Sequence, residues 1–169
     1  MIRRSPLEDA ALVDGLRELP FLAQLAVRSE EPPASLPTEP NTVAGDATRA
    51  ALWLGPDEWL VVGPPGSEPE LGGQFAAAGA TTVEVAANRT TLELRGLRAR
   101  ELLEFGCPID LDPRVFGPGR CAQTLLARAN VLIWFVTSEP EPVYRLLVRP
   151  SFAAYVAAWL ADAADGLID

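Results

Sequence analysis

Histidine and lysine are both absent from the 169-residue chain. The first absence removes the commonest general base, the commonest nitrogen ligand for metals and every Ser–His or Cys–His nucleophile pair. The second removes Schiff-base chemistry and the lysine of a phosphate-binding P-loop. Cysteine is scarce: Cys107 and Cys121 are too few for a disulfide framework and too far apart for a CxxC motif. They read as buried or interfacial thiols. No run approaches the roughly 20 uninterrupted apolar residues of a membrane span. The basic pair Arg3-Arg4 leads into Leu7-Glu8-Asp9, where a signal peptide would need an apolar stretch. A soluble, cytoplasmic chain is expected. Walker, GxGxxG, HExxH and GxSxG patterns are missing too, so no catalytic, cofactor-binding or metal-binding residue is nominated.

All 14 basic residues are therefore arginines, set against 23 acids for a net charge of −9. An acidic surface repels phosphate backbones and anionic lipid heads, so neither nucleic acid nor membrane is an expected partner. The arginines are unevenly spread. Residues 1–85 carry 5 Arg against 13 acids, whereas residues 86–149 carry 9 Arg against 7 acids. Arginine's planar, weakly hydrated fork suits protein interfaces, so the second half is the expected docking side.

Residues 1–49 are expected to form an N-terminal helix followed by a Pro-rich arm. Ser5-Pro6 and the acids after it favour a helix within residues 6–26, interrupted at Pro20. The segment RSEEPPASLPTEPNTVAGDATRA cannot bury enough apolar area to fold alone and is expected to lie along a partner. From residue 50 to residue 169 one α+β domain with a mainly antiparallel sheet is expected. ALWLGPDEWLVVG predicts a β-hairpin flanked by Trp53 and Trp59, Glu70 to Ala78 a helix ended by Gly79, and Thr81 to Val85 a strand, giving a β-β-α-β unit. A weak repeat of that unit follows. TTLEL predicts a strand, and LRARELLEFG a helix with an apolar stripe of Leu97, Leu102, Leu103 and Phe105. CAQTLLAR, VLIWFVT and VYRLLVR predict three further strands. SFAAYVAAWLADAA predicts a closing helix, capped by Ser151, with Phe152, Tyr155, Val156, Trp159 and Leu160 on one side.

Two residue sets invite a chemical reading. Asp57-Glu58 and Asp110 with Asp112 are carboxylate pairs, but acids in Gly/Pro-rich turns are turn formers first. The four tryptophans, Trp53, Trp59, Trp134 and Trp159, could stack on a flat heterocycle, yet each sits in a periodic apolar run and is expected in a core.

Glu84-Val85-Ala86-Ala87-Asn88-Arg89-Thr90-Thr91-Leu92-Glu93-Leu94-Arg95-Gly96 and the helix after it resemble a pattern of the glycine-cleavage T-protein-like folate-binding superfamily. Leu52-Trp53-Leu54-Gly55-Pro56-Asp57-Glu58-Trp59-Leu60, Gly106-Cys107-Pro108-Ile109-Asp110-Leu111-Asp112-Pro113, Gly119-Arg120-Cys121-Ala122-Gln123-Thr124 and Val148-Arg149-Pro150-Ser151-Phe152 follow the block order of the gamma subunits of heterotetrameric sarcosine oxidases. The resemblance covers about residues 50–165. It implies a single-domain T-protein-like fold and a non-catalytic subunit. The complex so implied demethylates sarcosine to glycine with release of hydrogen peroxide and formation of methylene-tetrahydrofolate. FAD, FMN, NAD, tetrahydrofolate and zinc would reside in the alpha, beta and delta partners. Docking would be chiefly to alpha, with Arg89, Cys107, Pro108, Asp110, Arg120, Cys121 and Gln123 at the interface. Asn88 and Glu84 depart from the commoner Ser and Asp of that pattern, which counts against a surviving folate carboxylate site. A stand-alone folate-binding protein is the alternative, but Gly119-Arg120-Cys121-Ala122-Gln123-Thr124 lacks the lysine, aromatic and glutamate of the KGCYxGQE signature.

Overall fold

The computed structural model describes residues 4–166, so Arg3 of the basic N-terminal pair lies outside the described residues. In chain order the elements are β1 (Leu16–Leu19), β2 (Ala23–Arg28), β3 (Val43–Gly45), β4 (Ala50–Gly55), β5 (Glu58–Gly63), α1 (Glu68–Ala77), β6 (Thr81–Glu84), β7 (Thr90–Arg95), α2 (Ala99–Glu104), β8 (Arg120–Leu126), β9 (Ala129–Thr137), β10 (Val143–Val148) and α3 (Pro150–Asp165). They form two antiparallel five-stranded sheets, with orders β1-β7-β10-β9-β8 and β3-β4-β5-β2-β6. Among the described residues no helix is long and apolar enough to cross a membrane.

Strand alternation sorts the apolar side chains into three cores. Trp59 and Val61 of β5 join Leu71 and Phe75 of α1 beneath one sheet. The alternate residues Leu60 and Val62, with Ala50 and Leu52, meet Cys121, Leu132, Trp134 and Leu147 of the other sheet. That sheet's opposite face, with Ile133, Phe135, Tyr144 and Leu146, packs against Leu102 and Leu103 of α2 and Val156 and Leu160 of α3. The layers thus run helix, sheet, sheet, helices. Strands buried on both faces explain the near-continuous apolar runs of β5, β9 and β10.

The hairpin β4–β5 forms as expected, with Trp53 and Trp59 as cross-strand partners. The expected N-terminal helix does not form. Gly15, at φ +80, turns the chain into β1, which pairs with β7, and β2 lies between β5 and β6. Sheet pairing and burial of Leu16, Ala23, Leu25 and Val27 outweigh the local helical signals, which carry only tenths of a kcal/mol per residue. The Pro-rich arm lies along this chain's own β8. The Val43 amide donates to the Gly119 carbonyl at 2.8 Å, the Cys121 amide to the Asn41 carbonyl at 2.9 Å, and Leu36 is buried in the α1 core. Trp59 Nε1 donates to the Pro37 carbonyl at 2.7 Å.

The expected β-β-α-β frame does not describe the second sheet, where β7 passes through α2 into three consecutive strands. The two sheets nevertheless share a connectivity, β3-β4-β5-β2-β6 and β8-β9-β10-β7-β1, with β1 from the N-terminal segment filling the place that β6 fills in its own sheet. Both helix stripes hold in part, with Leu102 and Leu103, and Val156, Trp159 and Leu160, facing the core as expected. Leu97 and Phe105 are exposed while Ala99, Leu102 and Leu103 are buried; Phe152 and Tyr155 are partly exposed while Ala153, Val156, Ala157 and Leu160 are buried. Ser151 makes no capping bond, because the helix begins one residue earlier, with Arg149 at the N-cap and Pro150 in the first turn.

One polar row crosses the inter-sheet face. Arg17, Glu93 and Arg145 are successive partners across β1, β7 and β10, and Arg145 is the partner of Trp134 on β9. The Glu93 side chain is 2% exposed. Its carboxylate accepts from Arg17 at 2.6 Å, Arg95 at 2.6 Å and Arg145 at 3.1 Å. Arg145 lies 5.1 Å over the Trp134 ring and donates from Nη1 to the Ala47 carbonyl, in the loop between β3 and β4, at 2.6 Å. Burial pushes the Glu93 carboxyl up, but the bonds from Arg95, Arg17 and Arg145 outweigh it and hold the group below its ordinary value.

A carboxyl depressed in the folded state contributes stability above its unfolded value and loses that contribution as pH falls through the folded one. Urea unfolding across a pH series should therefore show acid destabilisation beginning below the ordinary glutamate value near 4.5. Glu93→Gln should cost roughly 2–4 kcal/mol at neutral pH, because the nearly buried Arg145 loses its counterion, and the two proteins' stabilities should converge on acidification. At Gly15 an added Cβ would run into the Arg95 carbonyl oxygen at a positive φ. Gly15→Ala should cost about 1–3 kcal/mol of stability and lower the urea midpoint accordingly.

Candidate functional site

The residues expected at an interface divide by location. Cys107 is buried among the residues beneath α3, and Cys121 is fully buried between the sheets. Both thiols are enclosed by the chain's own cores. Burial pushes the Cys107 thiol up and the Cys121 thiol up to about 12, and the Cys121 Sγ lies 3.5 Å from the Thr42 carbonyl and 3.6 Å from that of Trp53. Both are protonated, unreactive packing groups at neutral pH.

Arg120 is committed within the chain, since its guanidinium pairs with Glu39 at 3.0 Å and donates to the Pro40 carbonyl at 3.4 Å. Asp110 accepts the Asp112 amide at 2.9 Å, and Asp112 accepts the Arg114 amide at 2.9 Å. Arg114 holds the Asp112 carboxyl well below the usual carboxylate range. These are turn-forming acids, and Asp57 and Glu58 are both paired with Arg28. Among the described residues no cluster of three or more His, Cys, Asp or Glu is placed to hold a metal ion. The tryptophans lie in or against the cores: Trp59 and Trp134 are buried, and Trp53 and Trp159 are packed on core clusters.

Arg89, Pro108 and Gln123 do come together, on the rim of one half-open cleft of about 440 Å³. It lies where the inter-sheet face of β8, β9 and β10 runs past the cover of the other sheet. Leu132 and Leu147, cross-strand partners, line it. Gln123, the partner of Leu132, marks its boundary by donating from Nε2 to the Leu54 carbonyl at 3.0 Å. Arg89 enters just before β7, and its backbone carbonyl accepts from Gln24 Nε2 of the other sheet at 2.8 Å. Arg149, immediately after β10, lines the same cleft. Burial lowers the Arg89 pKa, the like charge of Arg149 lowers it further, and Glu58 offsets part of the effect.

The sequence singles out Arg149 only as part of the Val148–Phe152 block and not as an interface residue. Alternation continues Arg145 and Leu147 of β10 onto it, and that face is known only once the sheet pairing is known. What the cleft can do chemically is bind rather than react: it offers guanidinium, amide and hydroxyl donors, and the Thr124 hydroxyl has no base among the lining residues to activate it.

Residues 27–166 match the family model described as "Sarcosine oxidase, gamma subunit family". Curated relatives include the sarcosine oxidase subunit gamma of Corynebacterium sp. (strain P-1), 36% identical over 96% of this chain and 90% of that protein. That of Arthrobacter sp is 37% identical with the same coverage. Among solved structures, a chain of the heterotetrameric sarcosine oxidase from Corynebacterium sp. U-96 in complex with pyrrole 2-carboxylate superposes with a TM-score of 0.83 at 35% identity, covering 99% of this chain and 97% of that one. The aminomethyltransferase T of the glycine cleavage system from Bartonella henselae shares the fold alone, with a TM-score of 0.63 at 12% identity, covering 86% of this chain and 45% of that one. On sequence and on fold, the chain belongs to the sarcosine oxidase gamma subunit family.

Proposed function

We propose that this chain is the non-catalytic structural subunit of a heterotetrameric sarcosine oxidase, docking chiefly on the alpha subunit beside the beta and delta subunits. The observation that carries this reading is the end-to-end likeness to a chain of a solved heterotetrameric sarcosine oxidase, with 99% of this chain covered. The composition supports it: a chain without histidine or lysine lacks the usual proton-transfer groups and the usual amine nucleophile. The complex would demethylate sarcosine oxidatively to glycine, releasing hydrogen peroxide and passing the one-carbon unit to tetrahydrofolate as its methylene form. FAD, FMN, NAD, tetrahydrofolate and zinc would be held by the partner subunits. This chain would work by shape, its four layers giving a rigid body against which the folate-side domain of alpha is held in place.

Within that reading the accessible members of the interface set are Arg89, Pro108, Asp110, Arg120 and Gln123. Cys107 and Cys121 support them from below, Cys107 at the start of the loop that holds Pro108 and Asp110 and Cys121 beside Arg120 on β8.

Co-expression with the three partner subunits, with and without this chain, followed by size-exclusion chromatography and sarcosine-dependent peroxide release, tests the assignment. A complete, active complex is expected only when the chain is present. Full assembly and turnover without it would overturn the structural role. Tight binding of a reduced folate by the chain alone, with no co-purifying oxidase subunits, would move the assignment to a folate-binding protein.

A further inference from the structure

Ion pairing uses up almost all of the arginines. Among the described residues, every arginine except Arg89, Arg128 and Arg149 has a carboxylate within 4 Å. Two of the three exceptions line the same cleft. On a chain of net charge −9, two neighbouring guanidinium groups with no carboxylate within 4 Å are a local reversal of sign. Arg89 is half-buried, so its charge is already partly desolvated, and Arg149 raises the cost of that state by repulsion. A carboxylate between them would relieve both terms and could accept from both forks.

The surroundings of the pair say what kind of carboxylate fits. Leu132 and Leu147, themselves buried in the inter-sheet core, back the cleft, and Leu125, the cross-strand partner of Asn130, stands 40% exposed on its rim. A simple inorganic anion would satisfy the guanidinium groups and leave Leu125 wet. An acidic side chain with an apolar neighbour would cover both, the carboxylate on the arginines and the neighbour on Leu125. The cleft is open on one side and framed by strand ends, which suits a segment laid in from outside.

We propose that the Arg89–Arg149 cleft is the seat of an acidic segment of a partner subunit, with one Asp or Glu side chain clamped between the two guanidinium groups and an apolar neighbour on the exposed Leu125. The inference rests on the subunit reading and deepens it: Arg89 and Arg149, rather than Arg120, become the charged contacts, because Arg120 already has Glu39.

Two experiments on the co-expressed complex test it. Arg89→Glu/Arg149→Glu should lower the recovered complex by roughly tenfold or more, and Arg89→Lys/Arg149→Lys, which keeps the charge, should retain most of it. Leu125→Cys carrying a benzophenone maleimide should photo-cross-link to an Asp- or Glu-containing peptide of a partner subunit. The buried, protonated Cys107 and Cys121 leave the introduced thiol as the labelled site. Assembly of the doubly reversed variant within twofold of wild type would overturn the proposal. So would a cross-link to a second copy of this chain, or to no subunit at all, in a complex that forms normally. In either case wild-type co-purification would leave the subunit reading standing, whereas failure of the wild-type chain to co-purify would sink that reading itself.

Discussion

The row Arg17–Glu93–Arg145–Trp134–Cys121 runs across all five strands of one sheet, and the architecture depends on how it is covered. At its centre, Arg145 reaches the Ala47 carbonyl of the opposite sheet's β3–β4 loop; at one end, the Cys121 thiol sits against the Thr42 and Trp53 carbonyls. A carboxylate with three arginines between two sheets is tolerable only because its oxygens and most of the surrounding donors are satisfied. Slipping one strand by a residue would turn Glu93 toward the helices and Leu92 or Leu94 toward the polar row. The ion cluster therefore contributes register at least as much as stability.

The same row explains how charge is distributed over the molecule. Arginines concentrated in the second half looked like a docking surface, but Arg95 and Arg145 serve Glu93, Arg98 and Arg100 serve acids on α2, Arg114 serves Asp112 and Arg120 anchors the proline-rich arm. Exposed pairs of this sort contribute little individually, and their main consequence is to neutralise the surface. Among the described residues Arg89, Arg128 and Arg149 have no carboxylate within 4 Å, and two of them, Arg89 and Arg149, line the cleft at the strand ends. The other described arginines are paired within the chain, and both thiols are buried.

Several elements were legible because local and tertiary demands agree. The Gly55-Pro56-Asp57-Glu58 turn between apolar runs produced the hairpin it signals, and Gly79, at φ +83, follows the helix that precedes it. The N-terminal segment was misread because its apolar residues suit a helix in isolation, and only the free edges of β7 and β5 make strands of it. The helix stripes were placed only in part for a related reason. The small residues Ala99, Ala153 and Ala157 face the sheet, allowing close approach, while larger residues such as Phe105 and Tyr155 turn outward. Of the candidate interface residues, Arg89, Pro108 and Gln123 were brought together, whereas Cys107 and Cys121 went to separate cores.

By itself, the sequence determined the chemistry this chain lacks, the alternation of its strands and the blocks that place it in a family, since each depends on residue identity or on spacing within one element. Only the tertiary structure decided which strands pair, which arginines are neutralised and where two of them are left together. Those outcomes depend on contacts between residues as far apart as Arg17 and Glu93, or Arg89 and Arg149, and the order of residues along the chain does not specify such contacts until a register has been chosen.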